Sequence, residues 1–307
     1  MPRIYVIGAL VYDIVFDVPD WVEPNRAVHA TEVTVSPGGK ALNQAVAACL
    51  LGADDVRLVG CVGDDPFGAE LLQAAARFGV NTDCVRRHPT ARTSLAGIVV
   101  KDNLPGFIGA PDASRHVDRR QVEEALVDLC PGDILLVNFE VSQPVVRFAL
   151  ELGRGKGAVN VLNPAPFFTR DNFVFEYMCL VDVLIPNRLE AQLILDTDGE
   201  DIDTLAAGLR SLGIKQVVLT LGEAGSVLYE DGRRISQKAY LLDAVDTTAA
   251  SDAFVGAYCH GLAQGWSPKR RLEFASATAG LACTKRGTMS SLPSLSQVQA
   301  LLRAEAC

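Results

Sequence analysis

Residues 118–140, DRRQVEEALVDLCPGDILLVNFE, contain the pattern that decides the fold, a helix followed by a strand. Asp118 and Gln121 have the spacing of a helix N-cap and its capping-box partner. The apolar run after Gly132 is typical of a strand that is buried on both faces. Helices and strands continue to alternate to about residue 222, which predicts a mostly parallel sheet with helices on both faces.

Two strand-rich stretches nearer the N-terminus do not follow this alternation. They are residues 10–36 and 93–110, where β-branched and aromatic residues alternate with polar ones or with glycine. These stretches predict a small β-sheet that projects from the larger one. The predicted fold class is therefore α/β, with three layers (helix, sheet, helix) and a small additional β-sheet.

The composition is that of an ordinary globular protein. Of 307 residues, 49% are hydrophobic and 21% are charged, and the formal net charge is −9. This acidic balance argues against a protein that binds nucleic acid by general electrostatic attraction. No apolar run approaches the roughly 20 residues that cross a bilayer, and the N-terminus lacks the features of a signal peptide. We therefore expect a cytoplasmic protein with neither a membrane nor a nucleic acid as partner.

Several common sites are missing from the sequence. The eight cysteines are scattered without a CxxC pair, which predicts reduced, buried thiols, and the four histidines form neither HxxxH nor HExxH. No GxGxxG follows the first strand, and Ala41 stands after Gly39 and Lys40, where a P-loop has Ser or Thr. The chemistry must therefore come from other segments.

The most informative segment is residues 244–254, AVDTTAASDAF, in which small residues lead directly into a helix. The free N–H groups of Ala250, Ser251 and Asp252 are expected to point out of this helix end, where the helix dipole favours an anion. Asp252 would then lie beside a bound phosphate, in the place of a general base for an attacking hydroxyl. In isolation, the pattern also fits Ser251 and Asp252 as simple helix caps.

A second segment, residues 37–44 (PGGKALNQ), places two glycines before a predicted helix. Glycine allows the backbone to approach a ligand closely. Lys40 and Asn43 are three residues apart at the helix start, so they face the same side and can hydrogen-bond a polyol. The alternative is an ordinary turn with two solvated polar side chains.

Six short motifs occur in the order and spacing of the PfkB, or ribokinase-like, carbohydrate kinases, and the resemblance runs from about Tyr5 to the final helix. The motifs are GGKALNQAVA (38–47), GDDPFG (63–68), LNPAP (162–166), PNRLEA (186–191), TLGEAG (220–225) and DTTAASDAFVGA (246–257). Within that family, LNPAP, the alanine-led turn before Asp252 and the tail TKRGTMSSLP (284–293) are most similar to the ribokinase branch.

The resemblance implies one ribokinase-like kinase domain over residues 1–307, in which residues 10–36 and 93–110 form a lid over a sugar site. The implied reaction is the phosphorylation of a small sugar, a pentose or another furanose, by ATP with Mg²⁺. The ribokinase branch is activated by a monovalent cation, so K⁺ is the expected activator. Family members often pair two lids, and we expect a homodimer.

The resemblance also assigns roles to individual residues. Asp252 is the expected base, and the expected anion hole is formed by the amides of Ala249, Ala250, Ser251 and Asp252. The expected sugar-binding residues are Asp13, Gly39, Lys40, Asn43 and Glu140. The expected residues on the nucleotide side are Asn187, Thr220, Gly222, Gly225 and Ser276. Glu190 is expected to organise Mg²⁺ through water. The expected monovalent-cation site comprises Asp246, Thr248, Ala282, Lys285, Gly287 and Ser291, mostly through backbone carbonyls.

Four features depart from the family pattern. Ser251 replaces the usual glycine of the anion-hole turn. If this position needs a positive φ, a side chain costs about 1 kcal/mol or more; if it lies in the first helical turn, serine is tolerated and its hydroxyl can donate a hydrogen bond. We expect activity that is reduced, but not abolished, relative to a glycine version. Val11 stands where ribokinases commonly have Asn, and Ala41-Leu42 replaces Gly-Ala. Both changes favour an acceptor that is less polar than ribose or has a smaller head. Ser276 replaces a larger residue near the purine.

Two alternatives remain open from the sequence. A nucleoside kinase of the same fold needs an apolar slot for a base, which Phe107, Ile108 and Phe139 could line, although core packing is the other use for these residues. A non-catalytic, sugar-sensing relative is supported by Ser251 and opposed by Asp252.

Overall fold

The computed structural model describes residues 1–102, 104–166 and 175–305, which contain nine α-helices and thirteen strands. The helices are α1 (Lys40–Leu50), α2 (Pro66–Arg77), α3 (Arg119–Ala125), α4 (Gln143–Lys156), α5 (Arg188–Leu195), α6 (Ile202–Ser211), α7 (Ala250–Ala263), α8 (Pro268–Ala282) and α9 (Leu295–Glu305). The strands are β1 (Ile4–Ile7), β2 (Val11–Asp17), β3 (Glu32–Gly38), β4 (Val56–Gly63), β5 (Val85–His88), β6 (Ser94–Lys101), β7 (Leu104–Ala110), β8 (Ile134–Asn138), β9 (Val159–Asn163), β10 (Val183–Leu184), β11 (Gln216–Thr220), β12 (Ser226–Glu230) and β13 (Arg233–Gln237).

The larger sheet has nine strands in the order β13-β12-β11-β10-β9-β8-β1-β4-β5. The seven neighbouring strands β11, β10, β9, β8, β1, β4 and β5 are parallel. Strands β12 and β13 add an antiparallel hairpin at one edge. The hairpin turns at Asp231 and Gly232, both with positive φ, as a two-residue hairpin loop requires. Because the carboxyl ends of parallel strands meet at one edge of a sheet, the segments that follow β1, β8, β9, β10 and β11 converge there.

Two hydrophobic cores cover the two faces of this sheet. Helices α1, α7 and α8 contribute to one core, and helices α3, α4, α5 and α6 contribute to the other. Helices α1 and α7 cross closely at Gly256, where a Cβ would lie 2.6 Å from the Gln44 carbonyl oxygen and 2.6 Å from the Ala47 Cβ. This crossing brings the first turn of α7 against the side chains of α1.

The small sheet has the strand order β3-β2-β6-β7 and is built from the two stretches predicted for it. Strand β2 pairs in parallel with β6, and the other two pairs are antiparallel. Tyr12 donates to Glu70 on α2 (2.8 Å), and Thr288 donates to the Pro37 carbonyl (3.0 Å), so both links hold the sheet against the main body. The predicted fold class is confirmed.

The capping box predicted at Asp118 is only half formed. Asp118 accepts from the Gln121 backbone N–H (2.7 Å), as expected for an N-cap. The Gln121 side-chain amide instead donates to the backbone carbonyls of Gly60 (2.6 Å) and Cys84 (2.9 Å). Buried carbonyls need a donor, and this need outweighs the local capping interaction.

The prediction of buried cysteines is correct for some of them. Cys61 and Cys259 are buried, whereas Cys130 and Cys179 are exposed, and each of these four thiols is free. Cys307 lies outside the described residues. Within the described ranges, no helix combines the length and the apolar character that crossing a membrane requires.

Candidate active site

Asp252 occupies the third position of helix α7 and is 3% exposed. Its Oδ2 accepts from Asn43 Nδ2 (3.1 Å), and its Oδ1 accepts from Gln44 Nε2 (3.0 Å). The Lys40 ammonium lies 3.7 Å from Oδ1. Nearby carboxylates, with that of Asp252 contributing most, raise the pKa of Lys40 against the opposite effect of burial. A buried carboxylate is thus held by two amide donors and one ion pair, all from helix α1.

The start of α7 offers backbone N–H groups to an anion. Ala249 is the N-cap and has no side-chain cap. The prediction that the Ala250 N–H is free is wrong, because this group donates to the Thr247 carbonyl (3.1 Å) within the preceding turn. Among the described residues, the N–H groups of Ser251 and Asp252 have no acceptor. Ser251 is exposed and has helical backbone, without a positive φ, so its side chain causes no backbone strain.

Asp13 projects from β2 toward the same region and is 8% exposed. Burial, together with the nearby charges of Glu140 and Asp252, raises the pKa of Asp13 to about 7. Among the described residues, its carboxylate has no hydrogen-bond donor, whereas the carboxylates of Glu140 and Asp252 have several. A buried acceptor without a donor is costly, which is a reason to expect a ligand there.

Glu140 follows strand β8 and holds the first turn of α1. Its Oε1 accepts from the Lys40 N–H (2.9 Å), and its Oε2 accepts from the N–H groups of Ala9 (3.0 Å) and Ala41 (3.1 Å). Burial raises the pKa of Glu140 despite these donors. Gly39, the N-cap of α1, has φ 96°, and a Cβ there would lie 2.7 Å from the Ala9 carbonyl. The sequence therefore needs glycine at this position.

The PNRLEA motif forms a complete capping box at the start of α5. Asn187 accepts from the Glu190 N–H (2.8 Å), and Glu190 Oε2 accepts from the Asn187 N–H (2.9 Å). Burial raises the pKa of Glu190, which is 9% exposed. Its Oε1 has no donor among the described residues, so one carboxylate oxygen is left for a ligand.

The predicted nucleotide-side residues do not share one environment. Thr220 ends β11, and Gly222 follows it with φ 58°, where a Cβ would meet no atom of the described residues within 4 Å. Gly225 has φ 93° and packs against the backbone that follows β13. Ser276 lies on α8, and its hydroxyl is 3.2 Å from that of Ser226 in a buried pair. Gly222 is therefore open to a ligand, whereas Ser276 already has a polar partner.

Asp246 joins the two segments that were predicted to hold a monovalent cation. Its carboxylate accepts from the N–H groups of Thr248 (2.9 Å) and Gly287 (2.9 Å). Burial acts to raise the pKa of Asp246, but hydrogen bonds from the Thr248 hydroxyl and from these two N–H groups, together with the charge of Arg286, outweigh it and the pKa is lowered. The backbone carbonyls of Thr248, Ala282 and Lys285 accept no hydrogen bond from any described residue. Such unpartnered oxygens suit a cation.

Ser291, the last of the predicted cation ligands, is buried beside this segment. Its hydroxyl donates to the Thr288 carbonyl (2.8 Å), and Thr288 in turn contacts Pro37 at the end of β3. The loop after α8 thus connects the predicted cation site with the small sheet.

Two residues of the site were not singled out from the sequence. Gln44 and Asn163 both lie inside quoted motifs, GGKALNQAVA and LNPAP. Gln44 donates to Asp252 and to Asn163 Oδ1 (2.9 Å). Their place in these motifs was the available signal, because nothing local indicates which buried amide meets Asp252.

The fold and the site together define a class of protein. A buried carboxylate beside free N–H groups at a helix start can accept a proton while an anionic group is held next to it. This arrangement is that of a phosphotransferase with an alcohol group as acceptor.

The chain belongs to the pfkB family of carbohydrate kinases, whose family model matches residues 1–295. It is 32% identical over 311 residues to a ribokinase of Schizosaccharomyces pombe, covering 97% of each chain. It is 29% identical over 298 residues to a deoxyribokinase of Salmonella typhi, covering 96% of each. A structure of Arabidopsis thaliana ribokinase complexed with ribose and ATP matches with a TM-score of 0.88 and 26% identity, covering 98% of this chain and 99% of that one. The family predicted from the motifs is confirmed.

Proposed function

We propose that this kinase transfers the γ-phosphoryl group of ATP to a hydroxyl of a pentose. The observation that carries the proposal is the Asp252 carboxylate, held by two side-chain amides beside the free N–H groups of α7. The relatives add support, since one matched structure is described with ribose and ATP.

The pentose, which is the acceptor of the phosphoryl group, binds between Asp13 and Asp252. The Asp13 carboxylate, which has no protein donor among the described residues, accepts hydrogen bonds from the hydroxyls of the pentose. Lys40 and Asn43 donate from α1, and the backbone at Gly39 allows a close approach.

Asp252 then takes the proton of the attacking hydroxyl. A bond forms between that oxygen and the γ-phosphorus, the bond from phosphorus to the bridging β–γ oxygen breaks, and ADP leaves with the electron pair. Negative charge on the transferred group faces the N–H groups of Ser251 and Asp252 and the dipole of α7. Asp252 later releases the proton to solvent.

The residues at the start of α5 and at the end of β11, where Asn187 and Thr220 are bridged, fit Mg²⁺ and a nucleotide. Glu190 keeps one free carboxylate oxygen, a ligand type that suits a hydrated Mg²⁺, and the ion neutralises phosphate charge when bound. Asn187, Thr220 and Gly222 are assigned to the nucleotide side, together with Gly225 and Ser276.

K⁺ is the proposed activator. Asp246 supplies a negative charge between the segments that carry the unpartnered carbonyls of Thr248, Ala282 and Lys285. We assign Gly287 and Ser291 to the same site because both belong to the loop held by Asp246 or beside it.

Val11 favours a pentose with fewer hydroxyls than ribose as a second acceptor. Val11 and Asp13 are two residues apart on β2, so their side chains share one face of the sheet. An apolar side chain there cannot hydrogen-bond a hydroxyl. The likeness to a deoxyribokinase points in the same direction.

The small sheet removes Ile108 from the apolar slot of the nucleoside alternative, because the strand register places Phe107 on the face of Asp13 and Ile108 on the opposite face. Phe107 and Ile108 are 70% and 64% exposed, so the core packing expected for them is wrong. They are adjacent in β7 and point to opposite faces, so they cannot line one slot together.

We also propose that residues 1–307 form one kinase domain, with residues 10–36 and 93–110 as its lid, and that the protein is a cytoplasmic homodimer. On the lid face opposite Asp13, Val35, Ile14 and Ile108 lie in one row across the strands. Val33 extends this apolar face, and an exposed apolar sheet face is stabilised when a second copy covers it.

The test is ADP release from ATP and Mg²⁺ with a panel of pentoses, 2-deoxypentoses, hexoses and nucleosides. Asp252→Asn should lower kcat by about 10²–10⁴-fold while acceptor affinity measured by calorimetry is retained. The exposed carboxylate Asp198 gives the control, Asp198→Asn, which should keep wild-type turnover. Acceptor binding without turnover in the wild-type protein would instead support the sugar-sensing alternative.

A further inference from the structure

Gln44 connects Asp252 to the carboxyl ends of two central strands. Its Nε2 donates to Asp252 Oδ1 (3.0 Å) and to Asn163 Oδ1 (2.9 Å), and Asn163 Nδ2 donates to the Ile185 carbonyl (2.9 Å). Gln44, Asn163 and Asp252 are 0%, 4% and 3% exposed. We call the series Ile185, Asn163, Gln44 and Asp252 the amide relay.

The relay has one consistent orientation. A backbone carbonyl accepts hydrogen bonds and cannot donate them, so Asn163 must turn its Nδ2 toward Ile185 and its Oδ1 toward Gln44. Gln44 must then present its NH₂ group, whose two hydrogens go to Asn163 and Asp252. The Ile185 carbonyl therefore determines that Asp252 Oδ1 receives a donor.

The NH₂ group of Gln44 makes two hydrogen bonds, whereas its amide oxygen makes none among the described residues. Gln44 Oε1 is buried without a hydrogen-bond partner among the described residues, which costs free energy. Since Asn43 holds Asp252 Oδ2 (3.1 Å), both oxygens of the carboxylate are fixed by amides. The plane of the carboxylate, and with it the direction of its remaining lone pairs, is therefore set before any substrate binds.

We propose that Gln44 is a positioning residue for phosphoryl transfer: through the amide relay it orients the Asp252 carboxylate to accept the proton of the attacking hydroxyl. Gln44 contacts Asp252 and Asn163 and not the acceptor. The inference rests on the proposed function. Loss of such positioning is expected to lower kcat by up to about a hundredfold.

Gln121 provides a matched control for replacing a buried glutamine. It too is buried, donates both NH₂ hydrogens and leaves Oε1 without a partner among the described residues, but its acceptors are carbonyls of Gly60 and Cys84, away from Asp252. Gln44→Met should lower kcat by about 10- to 100-fold with the acceptor KM within about twofold of wild type. Gln121→Met should lower thermal stability by a similar amount and keep the wild-type kcat.

A double-mutant cycle separates positioning from a general structural effect. In the Asp252→Asn background, adding Gln44→Met should change the residual kcat by less than about twofold, because no proton acceptor remains to be oriented.

Specific outcomes overturn the inference. An unchanged kcat in Gln44→Met, an equal loss in Gln121→Met, or a full additional loss in the Asp252→Asn background would each do so. If Gln44→Met fails to fold, Gln44→Asn takes its place in the test, because its shorter side-chain amide reaches one partner at most. A lower kcat at unchanged KM in Gln44→Asn supports the inference, and an unchanged kcat overturns it. Absence of turnover in the wild-type protein with every acceptor would overturn the proposed function itself.

Discussion

The Asp13 carboxylate packs directly on Gly38, so that a Cβ at position 38 would lie 2.1 Å from Asp13 Oδ2. The two residues are on neighbouring strands of the small sheet, and Gly38 is paired with Val11. The absence of a side chain at Gly38 therefore creates the space for the carboxylate that we propose binds the acceptor.

Gly38→Ala is expected to displace the Asp13 side chain and to raise the acceptor KM by about tenfold or more, because a hydrogen bond to a charged group is lost. The control is Gly97→Ala in the same sheet, where the nearest atom to a new Cβ is 3.6 Å away. Steady-state kinetics of both variants with the best acceptor provide the measurement. Equal KM values for the two variants would contradict the proposed role of Asp13.

Acceptor binding is expected to depend on pH through Asp13. Its pKa is raised to about 7, so in the free protein the carboxyl takes up a proton as the pH falls through 7. Since the charged form accepts hydrogen bonds from hydroxyls, the acceptor KM should rise as the pH falls from about 8 to about 5. Asp13→Asn should have a higher KM that no longer changes over this range.

The same raised pKa of Asp13 has a consequence for stability. The folded state holds this proton up to about pH 7, whereas the unfolded chain releases it near the ordinary value of 3.8. The contribution of Asp13 to stability therefore becomes less favourable as the pH rises between these values. Asp13→Asn should raise the Tm at pH 8 and change it little at pH 4, as measured by calorimetry at both pH values.

Ser251→Gly is expected to raise kcat/KM, because it removes a side chain from the N–H groups proposed to hold the phosphate. Ser251 has helical backbone, so the gain comes from easier approach of the anion and not from relief of strain. The free energy of unfolding should fall by up to about 1 kcal/mol, since glycine disfavours helix. A lower kcat/KM would show that the hydroxyl itself assists the reaction.

K⁺ is expected to raise the activity of the wild-type protein and not that of Asp246→Ala. This substitution removes the acceptor of the Thr248 and Gly287 N–H groups, which joins the two segments of the proposed cation site. The measurement is kcat with K⁺ and with a large organic cation at equal ionic strength. Asp243→Ala, at an exposed position three residues earlier, should keep its response to K⁺.

A charge on the outer face of the lid is expected to disrupt the proposed homodimer. Val35→Lys places an ammonium on the face that carries Ile14 and Ile108, so sedimentation velocity should show monomers at concentrations where the wild type is dimeric. Leu241→Lys, at an exposed apolar position outside the small sheet, should leave the wild-type distribution unchanged. A monomeric wild-type protein at high concentration would contradict the dimer.

Local pattern was sufficient for the main elements and for the location of the site. The alternation of helices and strands determines a parallel sheet, and the small residues before Asp252 determine that it stands in the first turn of a helix, because both depend on neighbours in the chain. Strand β5 is an exception, because its sequence, VRRH, is too polar for a local pattern to distinguish it from a loop.

Contacts between distant segments were decided by the tertiary structure. Gln44 and Asp252 are separated by 208 positions, and Gln44 and Asn163 by 119, so no local pattern pairs them. The raised pKa of Asp13 and the donors on Glu140 likewise follow from burial among strands that are far apart in sequence. The sequence by itself thus determined which residue types stand at the ends of the elements, and packing decided which of them meet, because burial and hydrogen-bond partners depend on the whole fold.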